Sequence, residues 1–301
     1  MYHSVSTPQV PGVLGSFPIP LTCFEHQVQH AQAHGWRFGS VSALREPVAA
    51  HTLYITGDDG TVDWVRNVLP WCEKAGIPTH TALITGRWLD EPVYPVAHRL
   101  QVLLSLPERE LPTPSLTGEQ RAYIDRVYAY ETDPRRRYLK GACNVVFDDA
   151  RSRALLGPPD VEEALLLAAR FACPQEYRGY RLAELGAHTV SHQAFGGDPD
   201  AYVRDEALPC LEALRKHDLP PTKYFTLPMR PRYPASVEQL VPALQAHGFE
   251  GVLDQAGEWD RASFVIPRID AKNVESFLGQ EAWSEHVRDE PERLARHEVP
   301  R

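Results

Sequence analysis

The feature that most constrains this chain is a short apolar run, Leu53 to Thr56, that ends in Gly57, Asp58, Asp59 and Gly60. The run is rich in residues that favour β-structure, which predicts a buried strand. Polar residues at the carboxyl end of such a strand lie where the active sites of α/β folds collect. Two adjacent buried carboxylates repel each other unless a cation or a proton offsets their charge. We therefore expect a site for chemistry here, or else an acid that caps a helix over residues 61–75.

Two histidines far along the chain favour the first alternative. His188 and His192 are spaced i, i+4, so their side chains share one face if the segment is helical. Two imidazoles and one carboxylate make a three-ligand site for zinc or a similar divalent ion, and they leave one coordination position open for water. The histidine pair together with the two acids therefore predicts a metal-dependent site.

The apolar pattern predicts an order of strands and helices. Predicted strands cover residues 2–5, 36–44, 53–56, 79–85, 223–227, 249–253 and 264–269. Predicted helices cover residues 21–35, 61–75, 198–217 and 237–247, and a surface helix is predicted from residue 281 onward. Because strands and helices alternate, the pattern indicates an α/β fold.

At the acidic and histidine motifs the sequence resembles the polysaccharide deacetylases of the NodB-homology type, also called carbohydrate esterase family 4. Their first motif is usually Thr-Phe-Asp-Asp-Gly, which residues 56–60 match except at Gly57. Their second motif, His-(Ser/Thr)-x-x-His, is matched by residues 188–192. The resemblance covers roughly residues 1–85 and 175–270.

The resemblance implies a distorted (β/α) barrel of the NodB-homology type. Between residues 87 and 178 the alternation of strands and helices stops, and three helical segments are predicted near 118–132, 134–147 and 161–173. We interpret this region as a helical insertion over the mouth of the barrel. The expected organisation is a single deacetylase-like domain, residues 1–301, with a helical insertion at about 87–178.

The resemblance also implies a metal-dependent hydrolase that removes an N-acetyl group from an aminosugar-containing substrate. Asp59, His188 and His192 would hold a divalent metal ion, which we expect to be zinc. Asp58 would act as the base on a metal-bound water, which is the expected nucleophile.

Further site residues are expected from the same resemblance. Arg268, or else Arg230, would keep the base ionised and oriented, unless it is an ordinary surface arginine. Met229 stands where the family usually carries an Arg-Pro-Pro-Tyr-Gly-type motif, and its backbone N–H could still stabilise an oxyanion. The late Leu-x-His motif of the family is not evident, so His3 is the candidate general acid, or else a capped loop histidine. Gly57, where the family has phenylalanine, would enlarge the site or loosen its wall.

Composition excludes several other classes of protein. With 43% hydrophobic and 24% charged residues, the chain gives no case for global disorder. A formal net charge of −9 argues against nucleic acid as a partner. No apolar run approaches the ~20 residues that a membrane span needs.

Five widely spaced cysteines, together with the lack of a charged and apolar leader before Tyr2, favour a reducing, cytoplasmic location.

A cytoplasmic location directs attention to a small N-acetylated sugar or a glycan precursor as the substrate. Two alternatives stay open. One is a cyclic amidase of the same superfamily, since relatives open ring amides. The other is a non-catalytic sugar-binding module that kept the fold, which the altered motif at Met229 permits and the two intact motifs argue against. The sequence makes no prediction of the oligomeric state.

Overall fold

A computed structural model describes residues 1–16, 18–47, 51–106, 109–254 and 263–271. Within these ranges the strands are β1 (Val5–Ser6), β2 (Ile19–Pro20), β3 (Arg37–Phe38), β4 (Thr52–Leu53), β5 (Ile55–Gly57), β6 (Thr79–Ile84), β7 (Ala183–Thr189), β8 (Pro221–Thr226), β9 (Gly251–Asp254) and β10 (Val265–Pro267). The surface helix predicted from residue 281 onward lies outside the described residues.

The helices in the same ranges are α1 (Leu21–Ala33), α2 (Leu69–Ala75), α3 (Val96–Ser105), α4 (Gly118–Val127), α5 (Pro134–Gly141), α6 (Asp149–Leu156), α7 (Val161–Ala168), α8 (Pro199–Tyr202), α9 (Leu208–Lys216) and α10 (Val241–Ala246). A π-helical turn over Val203–Ala207 joins α8 to α9. Because Pro209 has no N–H to donate to the preceding turn, this wider turn lets the predicted helix continue past the proline.

The centre of the fold is a six-stranded sheet with the order β10-β9-β8-β7-β6-β5. Each neighbouring pair of strands is parallel. Helices lie on the connections, with α2 between β5 and β6, α3 to α7 between β6 and β7, and α8 and α9 between β7 and β8. Parallel strands with helical crossovers place all strand carboxyl ends at one edge of the sheet, where ligands bind in such folds.

The sheet is curled into a half-barrel, and the first residues of the chain lie between its two edge strands. Tyr2 N donates to Thr56 O at 2.8 Å, and Asp58 N donates to Tyr2 O at 2.9 Å, on the β5 side. On the other side, Ala271 N donates to Met1 O at 2.9 Å, just beyond β10. These backbone bonds satisfy groups that an open sheet edge would leave unpaired. The predicted α/β class and distorted barrel are confirmed.

The strand predicted over residues 36–44 is wrong for most of its length. The chain makes only β3 there, and then a 3₁₀ turn over Val41–Ala43. The Glu184 carboxylate accepts hydrogen bonds from Val41 N at 2.6 Å and from the Ser40 hydroxyl at 2.5 Å. A contact from β7 therefore caps this turn, and a local sequence pattern does not contain that information.

The region predicted to be a helical insertion, residues 87–178, contains α3 and α6 in addition to the three helices that were predicted. Eight residues of α3 are buried: Val96, Ala97, His98, Arg99, Leu100, Val102, Leu103 and Leu104. Because the helix is buried on most of its faces, its apolar positions form no one-sided stripe, and the sequence shows no clear helical period there. A buried ion pair joins α3 to α7, with Arg99 Nε 3.0 Å from Glu163 Oε2. This ion pair therefore ties α3 to α7.

Among the described residues, no helix combines the length and the apolar character needed to cross a bilayer. All five cysteines lie in the described part of the chain, and no disulfide joins any two of them.

Candidate active site

The two adjacent acids lie at the carboxyl edge of the sheet, directly after β5. Asp58 is 1% exposed and Asp59 is 6% exposed. Asp59 and Gly60 have φ values of 72° and 71°, so two successive left-handed residues turn the chain sharply. A non-glycine residue adopts this conformation rarely, and the surroundings must hold it there. The side chains of the two acids have different partners. Neither partner is the start of the helix predicted over residues 61–75, so the alternative interpretation, in which an acid caps that helix, does not apply.

Asp58 forms a two-pronged ion pair with Arg268, which directly follows β10. Arg268 Nη1 lies 2.6 Å from Oδ1 and Nη2 lies 2.8 Å from Oδ2. Burial alone would raise the pKa of Asp58, but the charge of Arg268 is the largest of several effects that oppose the rise, and together they lower the pKa to about 2. Asp58 is therefore ionised throughout the neutral range. Arg230, the other candidate partner, is exposed on the turn after β8.

Asp59 faces the two histidines of the second motif. Its Oδ1 atom lies 3.3 Å from His188 Nε2 and 3.2 Å from His192 Nε2. A third histidine, which the sequence did not single out, approaches the other oxygen, since His98 Nε2 lies 3.4 Å from Oδ2. The donor atoms of Asp59, His98 and His192 lie within 4.8 Å of one another. One carboxylate is thus surrounded by three buried imidazoles.

The donor atoms at this position fit a divalent cation. Asp59 Oδ1 and His188 Nε2 are buried and have no hydrogen-bond partner within the described ranges. Such atoms cost free energy unless something else satisfies them. His188 Nδ1 donates to Thr226 O at 2.9 Å, which leaves the lone pair of Nε2 directed at Asp59. Carboxylate oxygen and neutral imidazole nitrogen are ligands that zinc and similar ions take.

The histidine motif is not helical, so the reason first given for the two rings sharing a face is wrong. His188 lies near the end of β7, and His192 lies in the following loop. Leu83 of β6 pairs with Ala187 and Ile84 pairs with Thr189, so His188 is the extra residue of a β-bulge. Bulges re-aim side chains, often beside active sites.

A buried carboxylate organises the loop between the two histidines. Glu206 Oε2 accepts hydrogen bonds from Val190 N at 3.0 Å and Ser191 N at 2.8 Å. Its Oε1 accepts from Ser191 Oγ at 2.7 Å and from Gln193 Nε2 at 2.6 Å. Burial raises the pKa of Glu206 and these donors oppose the rise. Sequence reasoning missed Glu206, because an acid on the buried side of the 198–217 helix carries no motif.

The two remaining candidates lie at the rim of the site. His3 Nε2 is 4.0 Å from Asp58 Oδ2, its side chain is 38% exposed, and Thr61 Oγ1 donates to its backbone oxygen at 3.2 Å. Met229 follows β8 and lines a small cavity together with His192. Residues from the 87–178 region also line that cavity: Val96, Ala97, Cys143, Asn144, Phe147 and Asp149.

Gly57 does not enlarge the site, contrary to expectation. A Cβ atom at this position would lie 2.2 Å from Cε2 of Trp64. The indole of Trp64 therefore fills the space that a side chain would take, and its Nε1 donates to Thr81 Oγ1 at 3.0 Å. The glycine allows this ring to pack against the end of β5, and the wall is closed there.

Of the comparisons with known proteins, the one with solved structures supports the fold. No family model matches the sequence, and no curated protein matches it at a significant level. The structure is similar to that of IcaB from Ammonifex degensii, with a TM-score of 0.50 and 14% identity, covering 87% of this chain and 88% of that one. It is also similar to a de-N-acetylase from Aggregatibacter actinomycetemcomitans, with a TM-score of 0.50 and 12% identity, covering 92% and 97%. At these identities the likeness is one of fold, and it supports the distorted (β/α) barrel.

Proposed function

We propose that this protein is a metal-dependent hydrolase that removes an N-acetyl group from an aminosugar-containing substrate. The observation that carries the proposal is the position of the Asp59 carboxylate, which has His188 and His192 within 3.3 Å. Asp58 lies beside it and is held ionised by Arg268. The fold adds support, since it is also the fold of a de-N-acetylase.

In this proposal Asp59, His188 and His192 hold a divalent metal ion, and their mixed nitrogen and oxygen donors favour zinc. When bound, the ion would polarise the amide carbonyl and lower the pKa of the attacking water. Asp58 accepts the proton from that water, and its low pKa keeps it in the proton-accepting form at neutral pH. Arg268 holds both carboxylate oxygens of Asp58 and so fixes the direction of the base.

Two residues at the rim complete the proposed catalytic site. His3 donates a proton to the departing amine, and its partial exposure lets it regain that proton from solvent. The backbone N–H of Met229 stabilises the developing oxyanion, which needs only a main-chain donor. We assign all of these residues to one domain spanning residues 1–301, in which the helical insertion forms part of the wall beside Met229.

The substrate we propose is a small N-acetylated sugar or a glycan precursor in the cytoplasm. Nucleic acid does not fit, because the net charge of −9 repels a polyanion. The same groups could open a ring amide, so a cyclic amide belongs in any substrate screen. The four buried groups of the two motifs argue against a module that only binds sugar, since binding alone gives no reason to bury them together.

Removal and return of the metal tests the proposal. The purified chain is stripped with a chelator and reloaded with zinc, cobalt, manganese or magnesium, and acetate release is measured on a panel of N-acetylated aminosugars. We expect no release from the stripped chain and restored release with zinc. Ring opening without acetate release would instead establish the cyclic amidase. Sugar binding with no turnover under any metal would establish the binding module.

A further inference from the structure

Arg170 determines which nitrogen of His98 carries the proton. Arg170 Nε donates to His98 Nδ1 at 2.5 Å. The guanidinium is buried and held in place by two further acceptors, Leu14 O at 2.7 Å and Gln101 Oε1. Burial lowers the pKa of Arg170 to about 10, which leaves it protonated at neutral pH. Because a guanidinium can only donate, His98 Nδ1 presents a lone pair and the ring bears its single proton on Nε2.

His188 has the opposite arrangement of its proton. Its Nδ1–H donates to Thr226 O, so its Nε2 presents a lone pair. Both Nε2 atoms face Asp59, at 3.3 Å from Oδ1 for His188 and at 3.4 Å from Oδ2 for His98. The two histidines therefore offer the same carboxylate different chemistry. One ring can coordinate a cation, and the other can only donate a hydrogen bond.

We propose that His98 is a positioning residue for Asp59, an inference that rests on the proposed function. Its Nε2–H donates to Oδ2 and turns Oδ1 towards His188 and His192, so that Asp59 binds the metal through one oxygen. His98 is then not a fourth ligand, although its distance to the carboxylate resembles theirs. His98 Nε2 lies 3.4 Å from Oδ2 and, like Asp59 Oδ1 and His188 Nε2, has no hydrogen-bond partner among the described residues, so the carboxylate must turn towards it for the bond to form.

The contacts from Arg170 to His98 and from His98 to Asp59 assign the helical insertion a role beyond lining the cavity beside Met229. His98 lies on α3 and Arg170 follows α7, so both residues come from the region between β6 and β7. The buried pair of Arg99 and Glu163 joins the same two helices. Partners of this kind orient metal ligands, and their loss typically lowers metal affinity by about 10- to 100-fold.

The first experiment reads the tautomers without any metal. Long-range proton–nitrogen correlation NMR on the full chain with nitrogen-15-labelled histidine reports which ring nitrogen is protonated, and His98→Gln and His188→Gln assign the signals. We expect the Nε2–H form for His98 and the Nδ1–H form for His188. Arg170→Gln should remove the preference at His98. An Nδ1–H form or an imidazolium at His98 in the wild type would overturn the proposal.

The second experiment measures zinc affinity by competition with a chromophoric chelator. His98→Leu should weaken binding by about 10- to 100-fold, whereas His98→Gln, which keeps an N–H donor, should recover most of the loss. The control is His80→Gln, because His80 is a buried histidine of β6 that bonds to Thr222 Oγ1 at 3.1 Å. Its affinity should equal that of the wild type.

X-ray absorption of the zinc-loaded wild type counts the imidazole ligands. Two imidazoles support the proposal, and three would overturn it by making His98 a ligand. Unchanged affinity in His98→Leu would overturn it as well. A wild-type chain that takes up no divalent metal would instead contradict the proposed function, so the two failures are distinguishable.

Discussion

Arg268 and Asp58 join opposite edges of the sheet, with Nη1 and Nη2 of the arginine 2.6 and 2.8 Å from the two carboxylate oxygens. Arg268 follows β10 and Asp58 follows β5, and these are the two edge strands. The ion pair therefore helps to bring the edges of the half-barrel together. It also sets the charge of the residue to which we assign the role of base.

Replacing this arginine should change the pH dependence of catalysis. In Arg268→Gln the largest effect that opposes the burial of Asp58 is lost, so its pKa should rise from about 2. The acidic limb of the profile of kcat/KM against pH should move upward accordingly. Arg230→Gln is the control, because Arg230 is an exposed arginine on the turn after β8. Identical profiles for Arg268→Gln and the wild type would contradict the assignment.

The same ion pair should affect stability at acidic pH. The pKa of Asp58 is lowered on folding, so its contribution to the free energy of unfolding is present above 3.8 and is lost as pH falls through about 2. Urea unfolding between pH 2 and pH 5 should therefore show less acid loss in Asp58→Asn than in the wild type. Equal slopes in the two proteins would show that the pKa of Asp58 is not lowered.

The assignment of His3 as general acid predicts a dependence on the leaving group. His3→Gln should slow hydrolysis of an N-acetylated aminosugar by about 10²- to 10⁴-fold, because the amine must be protonated as it leaves. An aryl acetate should be affected much less, since a phenolate leaves without a proton. Steady-state kinetics on both substrates make the comparison. An equal loss on both would indicate a role in binding or folding rather than proton donation.

Glu206 should contribute to both stability and metal binding. In Glu206→Gln an amide group faces some of the N–H and O–H donors of the loop, so the free energy of unfolding should fall by about 1–3 kcal/mol. Zinc affinity should fall too, because this loop carries His192. Glu250→Gln is the matched control, since Glu250 pairs with Lys223 on the surface, and it should change stability by less than about 0.5 kcal/mol. Urea unfolding without metal and chelator competition give the two readouts.

Gly57 should tolerate no side chain. In Gly57→Ala the new methyl group would clash with the Trp64 indole, and we expect a loss of about 1–3 kcal/mol in the free energy of unfolding. Gly118→Ala is the control, because a Cβ atom there has no neighbour within 4 Å. A fully stable Gly57→Ala would mean that Trp64 does not fill the space beside β5.

The part of the site that could be predicted from the sequence lies in two local motifs. Asp58 and Asp59 follow an apolar run, and His188 and His192 have a recognisable spacing, so sequence alone brought these four residues together. The spacing could not tell a helix from a bulged strand end, because the register of β7 against β6 decides where His188 points.

The residues that were missed depend on packing between distant segments. His98 lies on a helix that is buried on most of its faces, so no apolar stripe marked the helix and nothing marked the histidine. Arg170 and Glu206 become important only through the atoms that they contact, His98 Nδ1 and the backbone of the 190–193 loop. Such contacts follow from the tertiary arrangement of the insertion and the sheet.

The most direct test of the account compares the two neighbouring acids. Asp59→Ala removes a metal ligand, so metal content and acetate release should be lost together. Asp58→Asn keeps the three ligands and removes the base, so it should retain metal while its rate falls by about 10²- to 10⁴-fold. Metal analysis of both purified variants, alongside acetate release, gives the answer. A wild type that binds no metal, or an Asp58→Asn variant with full activity, would contradict the account.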